Sequence, residues 1–177
     1  MIGPALTNET PSLNARINRI ARLLAGAEGV LTTADVASVR RMDPRSPDAA
    51  FFKLAVLALD ESLITDTPSA MEAESRWAAI ASGLALLGEF HQPGSRFGSS
   101  LSEAGFSELR FSRLLRADAE RLVDELPMVA RFLVAKGVPA DWSTAALLIL
   151  SAGRTDEERT RRRIAREYYA ALARNER

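Results

Sequence analysis

The chain has 177 residues and a formal net charge of zero, because 23 basic side chains balance 23 acidic ones. The absence of cysteine excludes disulfides, thiolate metal sites and a cysteine nucleophile, and the single histidine, His91, argues against a histidine-rich metal site. The N-terminus lacks a cationic stretch followed by an apolar core, and the apolar run at 145–150 is too short to span a bilayer. A cytoplasmic protein with no membrane partner is therefore expected.

Three helices are predicted in the first third of the chain. The first ends near Gly26 and has one apolar face at helical spacing. That face consists of Leu13, Ile17, Ile20 and Leu24. Thr33 is predicted to cap a short helix from Ala34 to about Arg41, and Ser46-Pro47 is predicted to open a third helix through Leu59.

The middle of the chain contains two predicted helices on either side of a long connection. A capping box from Ser69 to Glu72 predicts a helix with one apolar face. That face consists of Trp77, Ile80, Leu84 and Leu87. The connection at 89–98 precedes an arginine-bearing helix at about 107–117, and it is where the chain would divide into two helical halves.

Three more helices are predicted in the last third of the chain. Pro127 is predicted to begin a helix that stops at Gly137, and Asp141 is predicted to cap an apolar helix that ends before Gly153. A capping box at 155–158 predicts the last helix. Its apolar stripe consists of Ile164, Tyr168 and Leu172. No convincing strand is present, so the sequence predicts an all-α protein of about eight helices without a sheet.

The charges are unevenly distributed although they sum to zero. Residues 1–89 hold 8 basic and 11 acidic groups, a net charge of −3, and residues 90–177 hold 15 basic and 12 acidic groups, a net charge of +3. The basic groups are 21 arginines and 2 lysines. Arginine binds phosphate bidentately, so this ratio favours contact with a nucleic-acid backbone, although a GC-rich coding bias produces the same ratio.

The segment 93–118 contains the strongest candidate site. The loop at 94–98 is rich in glycine and serine and includes Arg96 and Phe97, and the helix that follows places arginines three residues apart. Those arginines are Arg110, Arg113 and Arg116. At helical pitch they share an arc of roughly 120°, which predicts either a phosphate-binding face or a solvated one. Phe97 either stacks on a base or anchors the loop to the core.

Further basic side chains are candidates for nucleic-acid contact, but each also has a purely structural explanation. Arg40, Arg41 and Lys53, with Arg45 nearby, form a cluster on the first half, although arginines in the last turn of a helix also stabilise its dipole. The same alternative applies to Arg131 and Lys136. The arginines at 159–166 follow acidic residues, and i,i+4 pairs such as Glu158 with Arg162 would solvate that helix without any partner.

The segment resembles the CasB family, the small subunit of the type I-E CRISPR surveillance complex Cascade. The resemblance rests on the pattern Gly-x-x-Leu-x-x-Ala-Gly-x-Ser-Glu-x-Arg-Phe-x-x-Leu-Leu-Arg-Ala. Here the matching residues are Gly98, Leu101, Ala104, Gly105, Ser107, Glu108, Arg110, Phe111, Leu114, Leu115, Arg116 and Ala117. A weaker match lies upstream, where Arg40-Arg41 precedes Phe52-Lys53-Leu54.

This resemblance implies an all-α protein of two packed helical bundles that acts without catalysis and without a cofactor. It implies several partners: the Cascade backbone and large subunits, guide RNA, single-stranded target DNA in the R-loop, and other copies of the same subunit. Its implied role is to stabilise the R-loop in antiviral defence through contacts with the nucleic-acid backbone.

Two other classes of function remain open at the level of sequence. The stretch from Leu31 to Arg40 is similar to the opening of a helix-turn-helix, as in a transcriptional regulator, but Pro44 and Pro47 follow where a tight turn should begin. The other class is a helical adaptor that binds only protein. Enzyme signals are weak, because the chain has no phosphate-binding glycine loop and no His-Glu-x-x-His motif.

Overall fold

The computed structural model of the protein describes residues 11–59 and 68–175. Within these ranges nine α-helices and one short 3₁₀ turn follow one another, and no β-strand is present. The predicted all-α class is therefore confirmed. The only extended pairing in the described ranges is an isolated bridge between His91 and Ala140. The N-terminal residues 1–10, on which the expectation of no leader segment rests, lie outside the described residues.

The helices are numbered in chain order. They are α1 (Leu13–Leu24), α2 (Thr33–Arg41), α3 (Ala49–Ala58), α4 (Pro68–Leu87), α5 (Phe97–Glu103), α6 (Glu108–Arg116), α7 (Ala119–Lys136), α8 (Trp142–Ser151) and α9 (Glu157–Asn175). The 3₁₀ turn, Gly88–Phe90, follows α4 directly. No helix among the described residues is both long enough and apolar enough to cross a membrane.

Polar side chains cap the N-termini of several helices by accepting hydrogen bonds from backbone N–H groups. Asp141 caps α8, and Gly137 ends α7 in the left-handed conformation with φ of 66°, both as predicted. Ser107, where the arginine helix was predicted to begin, caps α6. Two caps differ from their predicted positions. Thr32 rather than Thr33 caps α2, and its side chain and that of Asp35 form a capping box.

The other differing cap is at α3. Asp48 caps this helix and accepts the Phe51 N–H at 3.1 Å, whereas the predicted opening was Ser46-Pro47. A carboxylate in the N-cap position accepts the free N–H groups of the first turn, so the helix begins after it. Ser69 was predicted as a cap but lies inside α4, which begins at Pro68. The last helix begins at Glu157, within the predicted capping box.

Two helices differ more strongly from the prediction. The residues from Phe97 belong to α5, although the sequence indicated a glycine-rich loop there. Helix α7 begins at Ala119 and contains Pro127, which was predicted to begin it. An interior proline destabilises a helix by about 3 kcal/mol. Asp118 caps α7, and burial of Leu122 and Leu126 offsets that cost.

The core is one continuous cluster that crosses the connection at 89–98. Helix α4 packs most extensively on α7, from the other side of that connection, and α5 packs along α9. Glycines allow a close approach of α4 to α8 and of α5 to α9. A Cβ atom at Gly83 would lie 2.2 Å from the Trp142 ring, and one at Gly98 would lie 2.3 Å from the carbonyl oxygen of Ile164.

Candidate nucleic-acid interface

Helix α6 is oriented by its apolar residues. Phe111 and Leu114 are buried, and the ring of Phe111 stacks on that of Tyr168 in α9 with centroids 3.8 Å apart. The Tyr168 hydroxyl donates to the Phe106 carbonyl just before α6. These contacts leave the opposite face of α6 in solvent. The predicted arginine helix is confirmed, and its three predicted arginines are exposed.

The guanidinium groups of these arginines make no contact with a polar partner in the described ranges. Among the described residues, no hydrogen bond or ion pair involves the side chains of Arg110, Arg113 or Arg116. Their neighbour Glu108 does not pair with them either. A guanidinium group without a carboxylate partner keeps all of its N–H donors for a ligand. The α6 face is therefore a set of free cationic donors.

Two adjoining grooves run between α6 and α7. The first, here called the apolar groove, has a volume of about 350 Å³ and has Arg110 and Arg113 opposite Met128 and Phe132. The second, here called the polar groove, has a volume of about 470 Å³. Its charged lining consists of Arg113, Arg116, Arg121, Asp124 and Glu125. Because Arg113 and Glu125 border both grooves, the two form one surface.

Arg121 is a candidate that the sequence analysis missed. It is exposed, lines the polar groove, and its side chain has no protein partner in the described part of the chain. It was overlooked because α7 was predicted to begin at Pro127, which left residues 119–126 as a linker. The signal that could have found it is Asp118 as an N-cap, followed by the helically spaced Leu122 and Leu126.

Two glycine N–H groups around the start of α5 donate to carboxylates within the protein. The Gly94 N–H donates to Asp141 at 2.9 Å, and the Gly98 N–H donates to Glu167 at 3.1 Å. Phe97 is fully buried, with its ring edge-on to Trp142 at 6.0 Å between centroids. Phe97 is therefore a core anchor and not a base-stacking platform. Arg96 stays exposed at the N-cap of α5.

The predicted cluster on the first half is partly engaged within the protein. Arg40 donates to the Ala85 carbonyl at 3.0 Å, whereas Arg41 is exposed and its side chain has no hydrogen-bond or ion-pair partner among the described residues. The Lys53 ammonium lies 2.9 Å from the Asp35 carboxylate. The hydrogen bond from Lys53, followed by those from Thr32, lowers the pKa of Asp35 from 3.8 to about 2. A phosphate would have to compete with Asp35 for Lys53.

The remaining predicted cations lie towards the C-terminus. Arg131 is exposed on α7, and the Lys136 ammonium lies 5.9 Å from the centroid of the Phe132 ring. On α9, Arg162 pairs with Glu158 at 2.7 Å, as the i,i+4 spacing predicted. Arg161 pairs with Glu157 and also donates to the Ala117 carbonyl. Helix α9 therefore uses part of its positive charge internally.

His91 lies directly after the 3₁₀ turn and is partly enclosed by the fold. Its Nδ1 accepts a hydrogen bond from the Trp142 N–H at 3.3 Å, and its Nε2 is buried with no hydrogen-bond partner in the part of the chain that the structure describes. Burial lowers the pKa of His91 below 6.5, opposed by the nearby Asp141 carboxylate. In the described ranges no group of three or more histidine, cysteine, aspartate or glutamate residues is positioned to hold a metal ion.

The helix-turn-helix alternative is also poorly matched by the geometry. Residues 42–48 separate α2 from α3, and Pro44 is buried in that connection. A helix-turn-helix has a turn of about three to four residues between its two helices. In addition, α3 has an exposed apolar pair, Phe52 and Val56, rather than a row of polar side chains.

Comparison with known proteins gave one match. A family model described as CRISPR-associated protein Cse2 matches residues 35–169, about three quarters of the chain. The matched region begins in α2 and ends in α9, so it includes both grooves and all of α6 and α7. Searches of the curated proteins and of the solved structures each returned no match.

Proposed function

Because the chain belongs to the family of CRISPR-associated protein Cse2, we propose that it is the non-catalytic small subunit of a type I-E CRISPR Cascade surveillance complex. In this role it stabilises the R-loop formed on target DNA during antiviral defence. Its partners are the backbone and large subunits of the complex, the guide RNA, the opened target DNA and other copies of itself. The family match supports membership in such a complex.

The observation that carries the nucleic-acid part of the proposal is the free arginine face of α6. Helix packing holds this face outward, and its guanidinium groups have no protein partner in the described ranges. Paired cations such as Arg162 are already neutralised. Arginines without a carboxylate partner instead favour bidentate contact with phosphate oxygens.

A modest contribution from this surface is enough for the proposed role. Guide pairing supplies sequence specificity, and replacing a DNA duplex by an RNA–DNA heteroduplex is nearly balanced in free energy. Contacts to a strand backbone therefore tip the equilibrium without reading bases. Arginines that contact phosphate fit this requirement because phosphate contacts carry no sequence information.

Six other basic side chains are proposed to make weaker contacts with the nucleic-acid backbone than the α6 face does. They are Arg40, Arg41, Lys53, Arg96, Arg131 and Lys136. Of these, Arg41, Arg96 and Arg131 are the better candidates because they are exposed and no described contact engages their side chains. When copies dock side by side, the cations of the first half and those of α6 would form one basic track.

The deciding experiment measures how fast target DNA dissociates from a reconstituted guide-RNA complex. Complexes with and without this chain are compared at equal guide and target concentration. We expect the chain to slow dissociation, because most differences in affinity between related complexes lie in the dissociation rate. A complex carrying Arg110→Ala/Arg113→Ala/Arg116→Ala should lose most of this effect.

The matched control carries three exposed arginines changed outside the grooves: Arg154→Ala, Arg159→Ala and Arg174→Ala. It removes the same charge and should keep slow dissociation. If the chain assembles into the complex and the dissociation rate is unchanged, the nucleic-acid role is wrong. A helical adaptor that contacts only protein would then be the better description.

A further inference from the structure

The polar groove contains two carboxylates beside its three arginines, and one of these carboxylates is neutralised from outside the groove. Arg45, in the connection between α2 and α3, forms a bidentate pair with Asp124. Its Nε lies 3.1 Å from Oδ1, and its Nη2 lies 2.8 Å from Oδ2. The hydrogen bond from Arg45 lowers the pKa of Asp124, so this carboxylate stays ionised and paired.

Arg45 reaches Asp124 from a different cleft. It lines a pocket of about 400 Å³ between α4 and the first turns of α7, and it is not among the residues that line the polar groove. Its Nη2 also donates to the Glu120 carbonyl at 3.0 Å, and its Nη1 lies 3.3 Å from the Glu120 carboxylate. Arg45 is therefore anchored on α7 by three groups, which leaves little of it for a ligand in the groove.

We propose that the polar groove is a phosphate-binding site for a nucleic-acid strand and that Arg45 keeps it cationic by neutralising Asp124. Arg113, Arg116 and Arg121 are the ligands of the phosphate. Arg45 is a positioning residue, since it acts on the phosphate through Asp124 and not by direct contact. Without Arg45 the groove would hold three arginines against two free carboxylates, Asp124 and Glu125. With Arg45 in place, only Glu125 opposes them.

This inference rests on the proposed nucleic-acid binding and adds the ligand class and the role of Arg45. Two unit charges 8 Å apart interact by about 0.5 kcal/mol in water and by about 2 kcal/mol at an effective dielectric constant of about 20. A freed Asp124 carboxylate should therefore weaken phosphate binding by about two- to thirtyfold at low salt. The effect should shrink as salt screens the charges.

The experiment uses the full chain and a fluorescein-labelled oligothymidylate strand, with binding followed by fluorescence anisotropy at low salt. Arg45→Ala is expected to weaken binding by the factor above. The double variant Arg45→Ala/Asp124→Asn should bind like the wild type, because the carboxylate that Arg45 neutralised is gone. Arg121→Ala should weaken binding and should not be rescued by Asp124→Asn.

The rescue separates the proposed role from a purely structural one. If Arg45→Ala and the double variant bind equally weakly, or if Arg45→Ala binds like the wild type, the role of Arg45 is wrong. If Arg45→Ala does not fold, strand binding by the single variant Asp124→Asn tests the proposal instead. It loses the ion pair without leaving a free anion, so its binding should be at least as tight as that of the wild type, and weaker binding would overturn the proposal.

Further comparisons identify the ligand and separate this inference from the proposed function. An unlabelled RNA strand should compete as the DNA strand does, because the shared ligand is phosphate. Inorganic phosphate should compete poorly when its concentration equals that of the phosphate groups in the strand. If it competes as well as the strand does, the proposal that the ligand is a strand is wrong. If the α6 triple variant loses binding while Arg45→Ala and Arg121→Ala do not, only this inference fails. If the wild type does not bind any strand even at low salt, both fail.

Discussion

Arginine side chains in this protein occupy distinct environments that residue type alone does not separate. Arg162 lies 2.7 Å from Glu158, and Arg45 is held by Asp124 and Glu120, whereas Arg113 has no partner among the described residues. Exposed ion pairs contribute only about 0–1 kcal/mol to stability, so a pair such as Arg162 with Glu158 mainly removes charge from the surface. The unpaired arginines are the ones that remain free for a phosphate.

At the same scale, His91 couples folding to pH. Partial burial lowers the pKa of the His91 ring below 6.5 and so favours its neutral form, and a proton on Nδ1 would break the hydrogen bond from the Trp142 N–H. The unfolded chain therefore binds the proton more tightly than the folded chain does. We expect the free energy of unfolding to decrease as pH falls below about 6.5 towards the lower pKa of the folded state.

Urea denaturation at pH 7.5 and 5.5 measures this dependence. His91→Gln keeps a side-chain acceptor but does not titrate, so it should lose most of the decrease. His91 is the only histidine, and the pKa values of Asp35 and Asp124 are shifted away from this pH window. An equal pH dependence in the variant would show that another group is responsible.

At the scale of the helix, the α6 face is expected to act as a unit. The triple variant Arg110→Ala/Arg113→Ala/Arg116→Ala should weaken binding of the isolated chain to single-stranded DNA. The slope of log K against log salt should flatten by up to about one unit for each phosphate contact that is lost. Thermal unfolding should change little, because exposed substitutions usually alter stability by about 0.5 kcal/mol or less.

The charge-matched variant Arg154→Ala/Arg159→Ala/Arg174→Ala serves as the control. It removes the same net charge, so it reports the effect of the overall field alone. If both triple variants weaken binding equally, position on α6 is unimportant and only charge matters. If the α6 variant binds as tightly as the wild type, the α6 face is only solvated.

The contact between α5 and α9 gives a prediction about packing. In Gly98→Ala the new Cβ atom would lie 2.3 Å from the Ile164 carbonyl oxygen and 2.8 Å from the Tyr168 nitrogen. Both are backbone atoms, so the helices must move apart. We expect destabilisation of roughly 1–3 kcal/mol or more, measured by urea denaturation.

Ser102→Ala provides a comparison in the same helix. The Ser102 hydroxyl is buried and has no hydrogen-bond partner among the described residues, so its removal should be neutral or slightly stabilising. Unchanged stability in Gly98→Ala would mean that α5 does not pack on α9 as closely as described.

At the scale of the whole molecule, charge balance limits what the isolated chain does. With 23 basic and 23 acidic groups it has no long-range field to attract DNA. Its arginines act within about 8 Å, the Debye length at physiological salt. We expect the isolated chain to bind single-stranded DNA weakly, with strong salt dependence and without sequence preference.

Titrations with two unrelated strands at several salt concentrations check this expectation. If the isolated chain binds weakly at physiological salt and target DNA dissociates more slowly from the complex that contains it, DNA binding depends on assembly of the complex. Tight binding by the isolated chain, or a clear preference for one strand, would contradict it. A preference for a palindromic duplex would favour a transcriptional regulator.

Much of the helical architecture was determined by local sequence. The periodic apolar residues that predicted α1 all lie within the observed helix. Ser107 and Asp141 correctly marked the starts of α6 and α8, and Gly137 correctly marked the end of α7. These features depend on interactions within a few residues, namely caps and a repeat of 3.6. The arginine face of α6 was predicted for the same reason, and the pattern around it identified the family that the Cse2 match confirms.

Tertiary structure alone decided the rest of the candidate site. Pro127 is tolerated inside α7 because that helix is buried against α4, and this extension adds Arg121 to the α6 surface. Residues from Phe97 form a helix because the ring fills the core beside Trp142. The pairing of Arg45 with Asp124 joins residues 79 positions apart. Local propensity carries no information on such contacts, because the packing that holds them lies between helices distant in sequence.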